Sequence, residues 1–219
     1  MIIVPSRYIV RNFEENGFYH IFNRGIEKRE TFTDKQDYQI FKYYMFVYLA
    51  PLNKVLSRHP DIPIRLHGKN LNEELDLIAY CLMPSHFHFL IRLKTKDAIS
   101  RFMKQLINAY TFYFNKKYQR AGNLLQGRFK SVKIPTDEIL LHVSRYIHLN
   151  PVMAKLTDKP ENYPWSSYND FLNNKLKETF IQKQLVLEHF QNLRSYGNFV
   201  SDQVDYAKTI DKIKHLTIE

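Results

Sequence analysis

The sequence predicts an α+β domain built around a mainly antiparallel sheet. Four segments are rich in β-forming residues, either alternating with polar residues or in short apolar runs, and three others show apolar residues at helical spacing. These segments follow one another in the order strand, helix, strand, strand, helix, strand, helix. Two of the strands are separated by only two residues, which leaves room for nothing but a tight antiparallel connection.

The first half of the chain supplies three strands and one helix. The segment "GFYHIFNRG" (17–25) predicts a strand that ends in a turn, and "DKQDYQIFKYYMFVYLA" (34–50) predicts a helix that stops before the next proline. A loop or small insertion is expected over residues 51–76, because this stretch holds three prolines among mixed polar residues. The apolar runs "LDLIAYCLM" (75–83) and "HFHFLIRL" (86–93) predict the two paired strands.

The strongest helical pattern lies in the middle of the chain. From Asp97 to about Gln119, apolar residues recur at spacings of three and four, namely Ile99, Phe102, Met103, Leu106, Tyr110, Tyr113 and Phe114. Gly122 follows at a position that suits a left-handed C-terminal cap. The segment therefore predicts one long amphipathic helix.

A last strand and a last helix complete the pattern. The segment "LLQGRFKSVKI" (124–134) predicts a strand, and "TDEILLHVSRYIHLN" (136–150) predicts a helix that ends at Asn150 because Pro151 follows. Acidic residues in the first turn favour this helix through its dipole. Beyond Trp165 the chain is polar and helix-like. We therefore expect one domain over residues 1–170 and a helical C-terminal extension over residues 171–219.

Composition favours a folded protein of the cytoplasm. The 219 residues are 44% hydrophobic with only six glycines, which is typical of a folded rather than a disordered chain. The single cysteine, Cys81, excludes an intramolecular disulfide or a cysteine-rich zinc site and fits a reducing compartment. The N-terminal residues do not resemble a signal peptide, and the longest apolar run is too short to span a bilayer. We expect a soluble, cytoplasmic protein that binds no membrane.

Positive charge is concentrated in one part of the chain. Residues 92–133 contain eleven Lys and Arg but one acid, so this segment carries +10, and the remaining 21 basic and 21 acidic residues cancel. A solvated helix face that keeps the protein in solution is one explanation. Interleaved aromatic residues favour the other, a surface that binds the phosphates of a nucleic acid.

Two histidines alternate with phenylalanines in the third predicted strand, "HFHFLIRL". Alternation places Phe87 and Phe89 on one face, toward the core, and His86 and His88 on the other, about 7 Å apart along the strand. That separation allows both rings to bind one divalent ion. A structural pair bonded to backbone carbonyls gives the same pattern, and nine histidines in the chain make the spacing weak on its own.

The last predicted helix offers further polar groups. Tyr146 and Asn150 are four residues apart along its apolar stripe, so both are aimed at whatever the helix packs on. His142 lies at the margin of the stripe, and His148 points nearly the opposite way. A tyrosine on a packing face is more often a core residue than a nucleophile, and an asparagine at a helix end is commonly a cap.

Five segments, in this order, resemble a known family: "YHIFNRG", "AYCLMPSHFHFLI", "GNLLQGRFKS", "YIHLNPV" and "YPWSSY". They are similar to the REP-associated tyrosine transposases, which are insertion-sequence transposases with an HUH motif and one tyrosine. The resemblance covers roughly residues 17–170. It implies a ferredoxin-like antiparallel sheet with packed helices, and a catalytic domain that cuts and rejoins single-stranded DNA.

The resemblance also implies roles for individual residues. His86 and His88 match the metal-binding pair, Tyr146 matches the nucleophile, and Asn150 matches the position that completes the metal site. The segments "NRG" and "QGRFKS" match stretches that border DNA. Together with the basic run, they give a DNA-binding set of Asn23, Arg24, Arg101, Lys104, Gln126, Arg128, Lys130 and Lys133.

Two departures from the family pattern concern the surroundings of the site. Ser85 stands where the family usually has Asn or an acid before the first histidine, which bears on how that histidine is held. Leu125 stands where Trp is common before "QGRF", which affects a stacking or packing contact. Neither departure touches the matched ligands or the matched tyrosine.

The residue types suit a metal-assisted phosphoryl transfer. Two imidazoles and an amide oxygen form a mixed, open site for Mg²⁺ or Mn²⁺, and attack by the tyrosine gives a 5′-phosphotyrosine and a free 3′-hydroxyl. A tyrosine of ordinary pKa, about 10, is mostly protonated at neutral pH and needs help from the metal or a base, for which His142 is a candidate. The expected partner is single-stranded DNA with a REP-like hairpin, bound by a monomer or homodimer.

Two other functions remain open at this point. One is a nucleic-acid-binding module on the same fold that has lost cleavage, and the other is a metal-dependent DNA hydrolase in which water attacks. The four residues His86, His88, Tyr146 and Asn150 favour the transposase, because a pure binding module needs none of that chemistry.

Overall fold

A four-stranded antiparallel sheet lies at the centre of the computed structural model, which describes residues 12–173 and 180–202. The strands are β1 (Phe18–Arg24), β2 (Leu75–Met83), β3 (His86–Leu93) and β4 (Lys130–Ile134), and they lie in the order β2-β3-β1-β4. This order and the intervening helices are those of a ferredoxin-like βαββαβ unit. The predicted α+β class is therefore confirmed, and β1 and β3 occupy the two central positions.

Helices cover both faces of the sheet. Within the described residues the α-helices are α1 (Lys35–Leu49), α2 (Leu52–Arg58), α3 (Ala98–Lys117), α4 (Asp137–Met153), α5 (Tyr168–Leu172), α6 (Gln184–Leu187) and α7 (Leu193–Ser201). Short 3₁₀ turns lie at Ile26–Lys28, Ile64–Lys69 and Pro160–Asn162. No helix in this part of the chain is long and apolar enough to cross a membrane.

One face of the sheet carries an aromatic core. Phe87 and Phe89 of β3 are buried, and their rings lie 5.5 Å from Phe41 of α1 and 6.0 Å from Phe102 of α3, measured between centroids. Burying each such side chain contributes about 1.5–3 kcal/mol. The phenylalanines of the His-x-His segment therefore fix α1 and α3 on this face and leave the histidines on the other.

A buried carboxylate joins the two helices of this aromatic layer. Asp37 forms a capping box with Asp34 at the start of α1, and it also accepts hydrogen bonds from the hydroxyls of Tyr113 and Tyr118 at 3.0 and 2.8 Å. The ammonium group of Lys117 lies 2.8 Å from the same carboxylate. The charge of Asp37 is thereby compensated, as a buried carboxylate requires.

The segment between α1 and β2 is more ordered than its sequence indicates. The sequence predicts a loop or small insertion over residues 51–76, but these residues contain α2 and the 3₁₀ turn Ile64–Lys69. Each of these elements follows a proline, Pro51 or Pro63, at its N-cap. The fixed φ of proline suits the start of a helix, so the prolines mark helix starts here as well as breaks.

The predicted strand over residues 124–134 is shorter in the structure. Only Lys130–Ile134 pairs as a strand. The preceding residues form a loop that meets the end of β1 through an isolated bridge between Leu125 and Gly25 and a hydrogen bond from the N–H of Gln126 to the carbonyl of Arg24 at 2.8 Å. Gly127 in this loop has a φ of +64° and Gly122 before it a φ of +84°, both in the left-handed region that favours glycine. The turn at Gly127 lies inside the predicted segment, and regular pairing begins only after it, which alternation alone did not reveal.

Helix α4 runs through the proline that was expected to stop it. It extends to Met153 with Pro151 inside. Helical hydrogen bonding continues beyond the proline, since the N–H of Ala154 donates to the carbonyl of Asn150 at 2.9 Å. Pro151 lacks the N–H that would donate to the preceding turn, so one hydrogen bond of the helix is missing there. As a result Asn150 is held within a helix rather than at its end.

The described part of the C-terminal extension packs on the outer side of α4. His148 is fully buried there, with its Nδ1 atom 2.6 Å from the hydroxyl of Tyr196 on α7 and its Nε2 atom 2.8 Å from the hydroxyl of Ser167. Arg145 Nη1 donates to the carbonyl of Phe199 at 3.3 Å. Residues on either side of Tyr146 therefore fix the rotation of α4 relative to α7. The proposed boundary at residue 170 stays a prediction.

Stability is expected to fall in acid because His148 is buried. Burial lowers the pKa of His148 to about 3, whereas in an unfolded chain the group takes up a proton near pH 6.5. Its contribution is thus complete above pH 6.5 and is lost as the pH falls toward 3. We expect His148→Gln to reduce the slope of unfolding free energy against pH by about 1.4 kcal/mol per pH unit between pH 5.5 and 4.5. Urea denaturation tests this, and equal slopes in both proteins would contradict it.

Candidate metal and nucleophile site

The two histidines of β3 lie side by side on the sheet face opposite the aromatic core. The rings of His86 and His88 are 5.0 Å apart between centroids, and their planes are nearly perpendicular. His88 is fully buried, while His86 at the start of the strand is partly exposed. The face predicted from alternation is therefore correct, and the site has one buried and one accessible imidazole.

Asn150 of α4 reaches the same point. Its Nδ2 atom donates a hydrogen bond to His88 Nε2 at 3.3 Å, and its side chain also bonds His86. The amide carries both a donor nitrogen and an acceptor oxygen, so the same side chain can offer its oxygen to a cation. The structure thus brings together the three residues that the sequence assigned to the metal site.

The remaining ring nitrogens of the two histidines have partners within the protein. His86 Nδ1 lies 3.1 Å from the hydroxyl of Ser85, and His88 Nδ1 lies 2.9 Å from Nε2 of His20 on β1. Both Nδ1 atoms are therefore engaged. Ser85, which departs from the family pattern, still orients the first histidine.

His20 is the residue of this site that sequence reasoning missed. In the pairing of β1 with β3, His20 lies opposite Leu90, and Phe22, two residues further along β1 and on the same face, lies opposite His88. His20 therefore shares the face of the histidine pair. The alternation of "YHIFNRG" places His20 on one face of β1. Only the strand order and register, which the sequence does not contain, show that this is the face of His88.

Burial keeps both imidazoles of the pair neutral. It lowers the pKa of His86 to about 4, with a smaller contribution from the nearby charge of Arg24, and it lowers the pKa of His88 well below its usual value. Neutral imidazole is the form that binds metal ions. No cluster of three His, Cys, Asp or Glu suited to a metal occurs in residues 12–173 or 180–202, so a site here depends on the amide of Asn150. Two neutral imidazoles and an amide oxygen fit a divalent cation that keeps water or phosphate ligands.

Tyr146 lies one helical turn before Asn150 and faces the same histidines. Its ring meets the ring of His88 edge-on at 5.4 Å and the ring of His20 at 6.0 Å, measured between centroids, and only 3% of the residue is exposed. The helix geometry predicted from the spacing of Tyr146 and Asn150 is the one observed. The tyrosine is therefore held beside the imidazoles rather than in the aromatic core.

The other two histidines of α4 face away from this point. The ring of His142 packs on Phe199 of α7 at 5.7 Å, and its Nδ1 atom lies 3.1 Å from Arg145 Nη2. His148 contacts Tyr196 and Ser167, as its predicted orientation requires. These contacts place His142 on the α7 side of the helix, whereas Tyr146 faces the sheet.

A polar rim borders the accessible histidine. Arg24 lies opposite His86 in the β1–β3 pairing, and its Nε atom donates to Oε1 of Gln126 at 2.7 Å. Asn23 donates to the carbonyl of Gly127 at 3.3 Å, which ties the loop before β4 to the end of β1. With Phe22 and Lys130, these residues line a cavity of about 160 Å³. Four of the residues predicted to border DNA, Asn23, Arg24, Gln126 and Lys130, are thus adjacent to the histidine pair.

The loop before β4 also meets α3 in a second cavity. This cavity, of about 470 Å³, is lined by Arg101, Lys104 and Arg128 around the apolar side chains of Met103, Ile107 and Phe129. Arg101 forms an ion pair with Glu74, whereas Lys104 and Arg128 form no ion pair with a described acid. Three more of the predicted DNA-binding residues are therefore grouped here, with cations at the rim of an apolar floor.

Acids from distant parts of the chain neutralise much of the basic run. Five of its eleven cations form ion pairs: Arg92 and Lys94 with Asp76, Arg101 with Glu74, Lys117 with Asp34 and Asp37, and Lys133 with Glu14. Lys133 lies opposite Tyr19 in the β1–β4 pairing and so projects from the aromatic face. The uncompensated charge of this run is therefore smaller than a local count indicates, and Lys104, Arg128 and Lys130, which form no ion pair with a described acid, line the two cavities.

Comparison with known proteins agrees with this geometry. The family model described as transposase, IS200 like, matches residues 61–150, which include both histidines, Tyr146 and Asn150. A Haemophilus influenzae protein with the name "Putative REP-associated tyrosine transposase" is 29% identical over 43% of this chain and 59% of its own length, so the chain spans less than two thirds of that relative.

A solved structure shares the fold. It is that of a REP-associated tyrosine transposase bound to a REP hairpin, with a TM-score of 0.55 and 18% identity over 78% of this chain and 88% of the other. At this level of identity the likeness concerns the arrangement of strands and helices. It supports the assignment of the four-stranded sheet with packed helices.

Proposed function

Because this chain belongs to the family of IS200-like and REP-associated tyrosine transposases, we propose that it cuts and rejoins single-stranded DNA through a covalent tyrosine–phosphate bond. The observation that carries the proposal is the convergence of four side chains from two elements. His86 and His88 of β3 meet Asn150 of α4, and the ring of Tyr146 lies against His88. A binding module has no need for this combination.

Tyr146 is the proposed nucleophile. Its hydroxyl oxygen forms a bond to the phosphorus of the scissile phosphate, and the bond from that phosphorus to the 3′ oxygen of the preceding nucleotide breaks. The tyrosine loses its proton and the leaving 3′ oxygen gains one. The products are a 5′-phosphotyrosine and a free 3′-hydroxyl, which restores the chain when it attacks in reverse. The covalent bond conserves the energy of the cut, so no nucleotide cofactor is needed.

His86, His88 and Asn150 are the proposed ligands of a Mg²⁺ or Mn²⁺ ion. Such an ion, when bound, polarises a phosphate oxygen and offsets negative charge in the transition state. The residues of the chain supply the rest: burial keeps both imidazoles neutral, Ser85 orients the first ring, and α4 fixes the amide. The partly exposed side of His86, beside Arg24, is the side from which a phosphate would approach.

The two basic cavities outline a path for the DNA. Arg24 and Lys130 flank the histidine pair, and the loop that carries Arg128 connects them to Lys104 on α3. Cations at the rim suit phosphates, and the apolar floor beside Phe129 suits unpaired bases. We propose a single strand with a REP-like hairpin as the substrate, since the matched structure was solved with such a hairpin.

Removing the two unpaired cations of the larger cavity is expected to weaken DNA binding. The double variant Lys104→Gln, Arg128→Gln should bind a single-stranded hairpin oligonucleotide roughly tenfold less tightly. The slope of log affinity against log salt concentration should decrease in magnitude by about 1.4, because each of the two lost phosphate contacts contributes about 0.7 to that slope on single strands. Fluorescence anisotropy at several salt concentrations measures both quantities.

A control variant with the same change in net charge is Lys54→Gln, Lys159→Gln. Both lysines are exposed and lie outside the two cavities. Their replacement should alter neither affinity nor slope by a comparable amount. If both double variants lose affinity equally, the effect is one of net charge, and the proposed path is wrong.

The experiment that tests the function is a search for a covalent adduct. A pool of single-stranded oligonucleotides with a fixed hairpin stem and randomised flanks is incubated with the protein and Mn²⁺ or Mg²⁺, then separated under denaturing conditions. Because the tyrosine retains the 5′ phosphate, a 3′ label should move with the protein, and a 5′ label should be released on a shorter fragment.

The other functions give different results in the same experiment. Metal-dependent cleavage of both labelled strands without any adduct would point to a hydrolase in which water attacks. Binding of the hairpin pool without cleavage, with either metal, would point to a nucleic-acid-binding module. Both results would overturn the proposed covalent mechanism.

A further inference from the structure

His20 stands directly behind the buried histidine of the proposed metal site. It is fully buried on β1, its Nε2 atom is 2.9 Å from Nδ1 of His88, and the two rings are nearly parallel at 19° with centroids 5.1 Å apart. The opposite side of the His88 ring, its Nε2 atom, faces Asn150 at 3.3 Å. His88 is therefore held between one histidine and one asparagine.

The hydrogen bonds fix where the protons lie. An amide nitrogen can only donate, so His88 Nε2 accepts from Asn150 and carries no proton. Neutral His88 then has its proton on Nδ1 and donates it to Nε2 of His20. His20 must accept at that atom, so its own proton lies on Nδ1. One hydrogen-bond chain thus determines the tautomer of both rings.

This tautomer is the one that a metal ligand needs. A histidine binds an ion through an unprotonated nitrogen, and the group bonded to the other nitrogen sets the tautomer and orientation of the ring. The lone pair of His88 Nε2 points toward Asn150, and the ring of His86 lies beside it, because the proton is held on the far side by His20. Ser85 has the corresponding place at Nδ1 of His86, with a contact of 3.1 Å.

We propose that His20 is a positioning residue of the metal site, which acts by accepting the Nδ1 proton of His88 and thereby directs its Nε2 lone pair at the ion. The inference rests on the proposed function for the identity of the site. It adds to that function a buried residue from a different strand. A merely structural role for His20, as one half of a satisfied buried pair, predicts no specific effect on metal binding.

Three variants separate the two roles. His20→Leu removes the acceptor, and His20→Gln keeps one, because Oε1 of glutamine takes a position close to that of histidine Nε2. Tyr19→Phe is the matched control, since it removes a hydrogen bond to Glu14 from the neighbouring residue of β1 on the opposite face. Binding of Mn²⁺ to each protein without DNA is measured by electron paramagnetic resonance and isothermal titration calorimetry.

We expect His20→Leu to lower the affinity for Mn²⁺ by about 10- to 100-fold, the usual effect of losing a group that orients a ligand. His20→Gln should recover most of that loss, and Tyr19→Phe should bind as the wild type does. Equal losses in the Leu and Gln variants, no loss in the Leu variant, or a wild type that binds no Mn²⁺ would overturn the inference.

A second measurement covers the case in which His20→Leu does not fold. In wild-type protein labelled with ¹⁵N-histidine, the ring nitrogen shifts report the tautomer of His88, which is assigned by its loss in His88→Gln. The inference requires a proton on Nδ1, and a proton on Nε2 in the metal-free protein would overturn it. Both measurements use no DNA, so they are independent of whether the covalent adduct forms.

Discussion

Replacing Tyr146 by Phe is expected to abolish the covalent adduct, with a fall of at least about 10³-fold, because the substitution removes the only atom of this side chain that can bond to phosphorus. The ring contact of Tyr146 with His88 at 5.4 Å is one that phenylalanine can keep. Binding of Mn²⁺ and of the hairpin oligonucleotide should therefore remain close to that of the wild type. Gel analysis of adduct formation and anisotropy of DNA binding, on the same preparation, measure the two effects.

The matched control for this substitution is Tyr113→Phe. Tyr113 lies on α3, on the aromatic side of the sheet, where its hydroxyl donates to Asp37 at 3.0 Å. Its replacement should leave adduct formation unchanged, although it removes a hydroxyl from a tyrosine in the same way. If Tyr146→Phe still formed the adduct and a variant of Tyr110 or Tyr113 did not, the nucleophile would be on the opposite face of the sheet.

The second large effect is expected for His88→Ala. This substitution removes the ring that contacts both Asn150 and His20, so the affinity for Mn²⁺ should fall by more than the ~10²-fold that the loss of an orienting group produces. Adduct formation should fall with it at metal concentrations that saturate the wild type. Calorimetry with Mn²⁺ and the adduct assay at increasing metal concentration measure both changes.

His148→Gln is the control for the loss of a buried histidine. His148 lies on α4 but faces Tyr196 and Ser167, away from the pair on β3. We expect its replacement to change stability and its pH dependence, while Mn²⁺ binding at pH 7.5 stays within about threefold of wild type, since no orienting contact of the site is lost. An equal loss of metal affinity in both variants would mean that the fold, rather than the ligand, is responsible.

Much of the site follows from periodicities that the sequence carries. Alternation along β3 placed Phe87 and Phe89 in the core and the two histidines on the other face, and the helical spacing of Tyr146 and Asn150 placed both on one stripe of α4. These are local properties, since a strand repeats every two residues and a helix every 3.6. The family resemblance implies that β3 and α4 contribute to one site. The hydrogen bond between Asn150 of α4 and His88 of β3 supports this in the structure.

What the sequence could not predict depends on contacts between distant segments. His20 became part of the site only through the position of β1 beside β3. Nearly half of the cations in residues 92–133 form ion pairs with acids such as Asp76 and Asp37, which are distant in the sequence but close in the fold. Helix α4 continued through Pro151, because α7 and the sheet hold both sides of the helix and outweigh one missing hydrogen bond.

In the proposed mechanism the hydroxyl of Tyr146 forms the bond to DNA. The direct measurement is mass spectrometry of the adduct after nuclease and protease digestion, which locates the residue that retains a nucleotide. We predict a 5′-linked nucleotide on the peptide that contains Tyr146, and no other modified tyrosine. A nucleotide on Tyr110, Tyr113 or any other residue, or metal-dependent cleavage with no modified peptide, would show that Tyr146 is not the nucleophile.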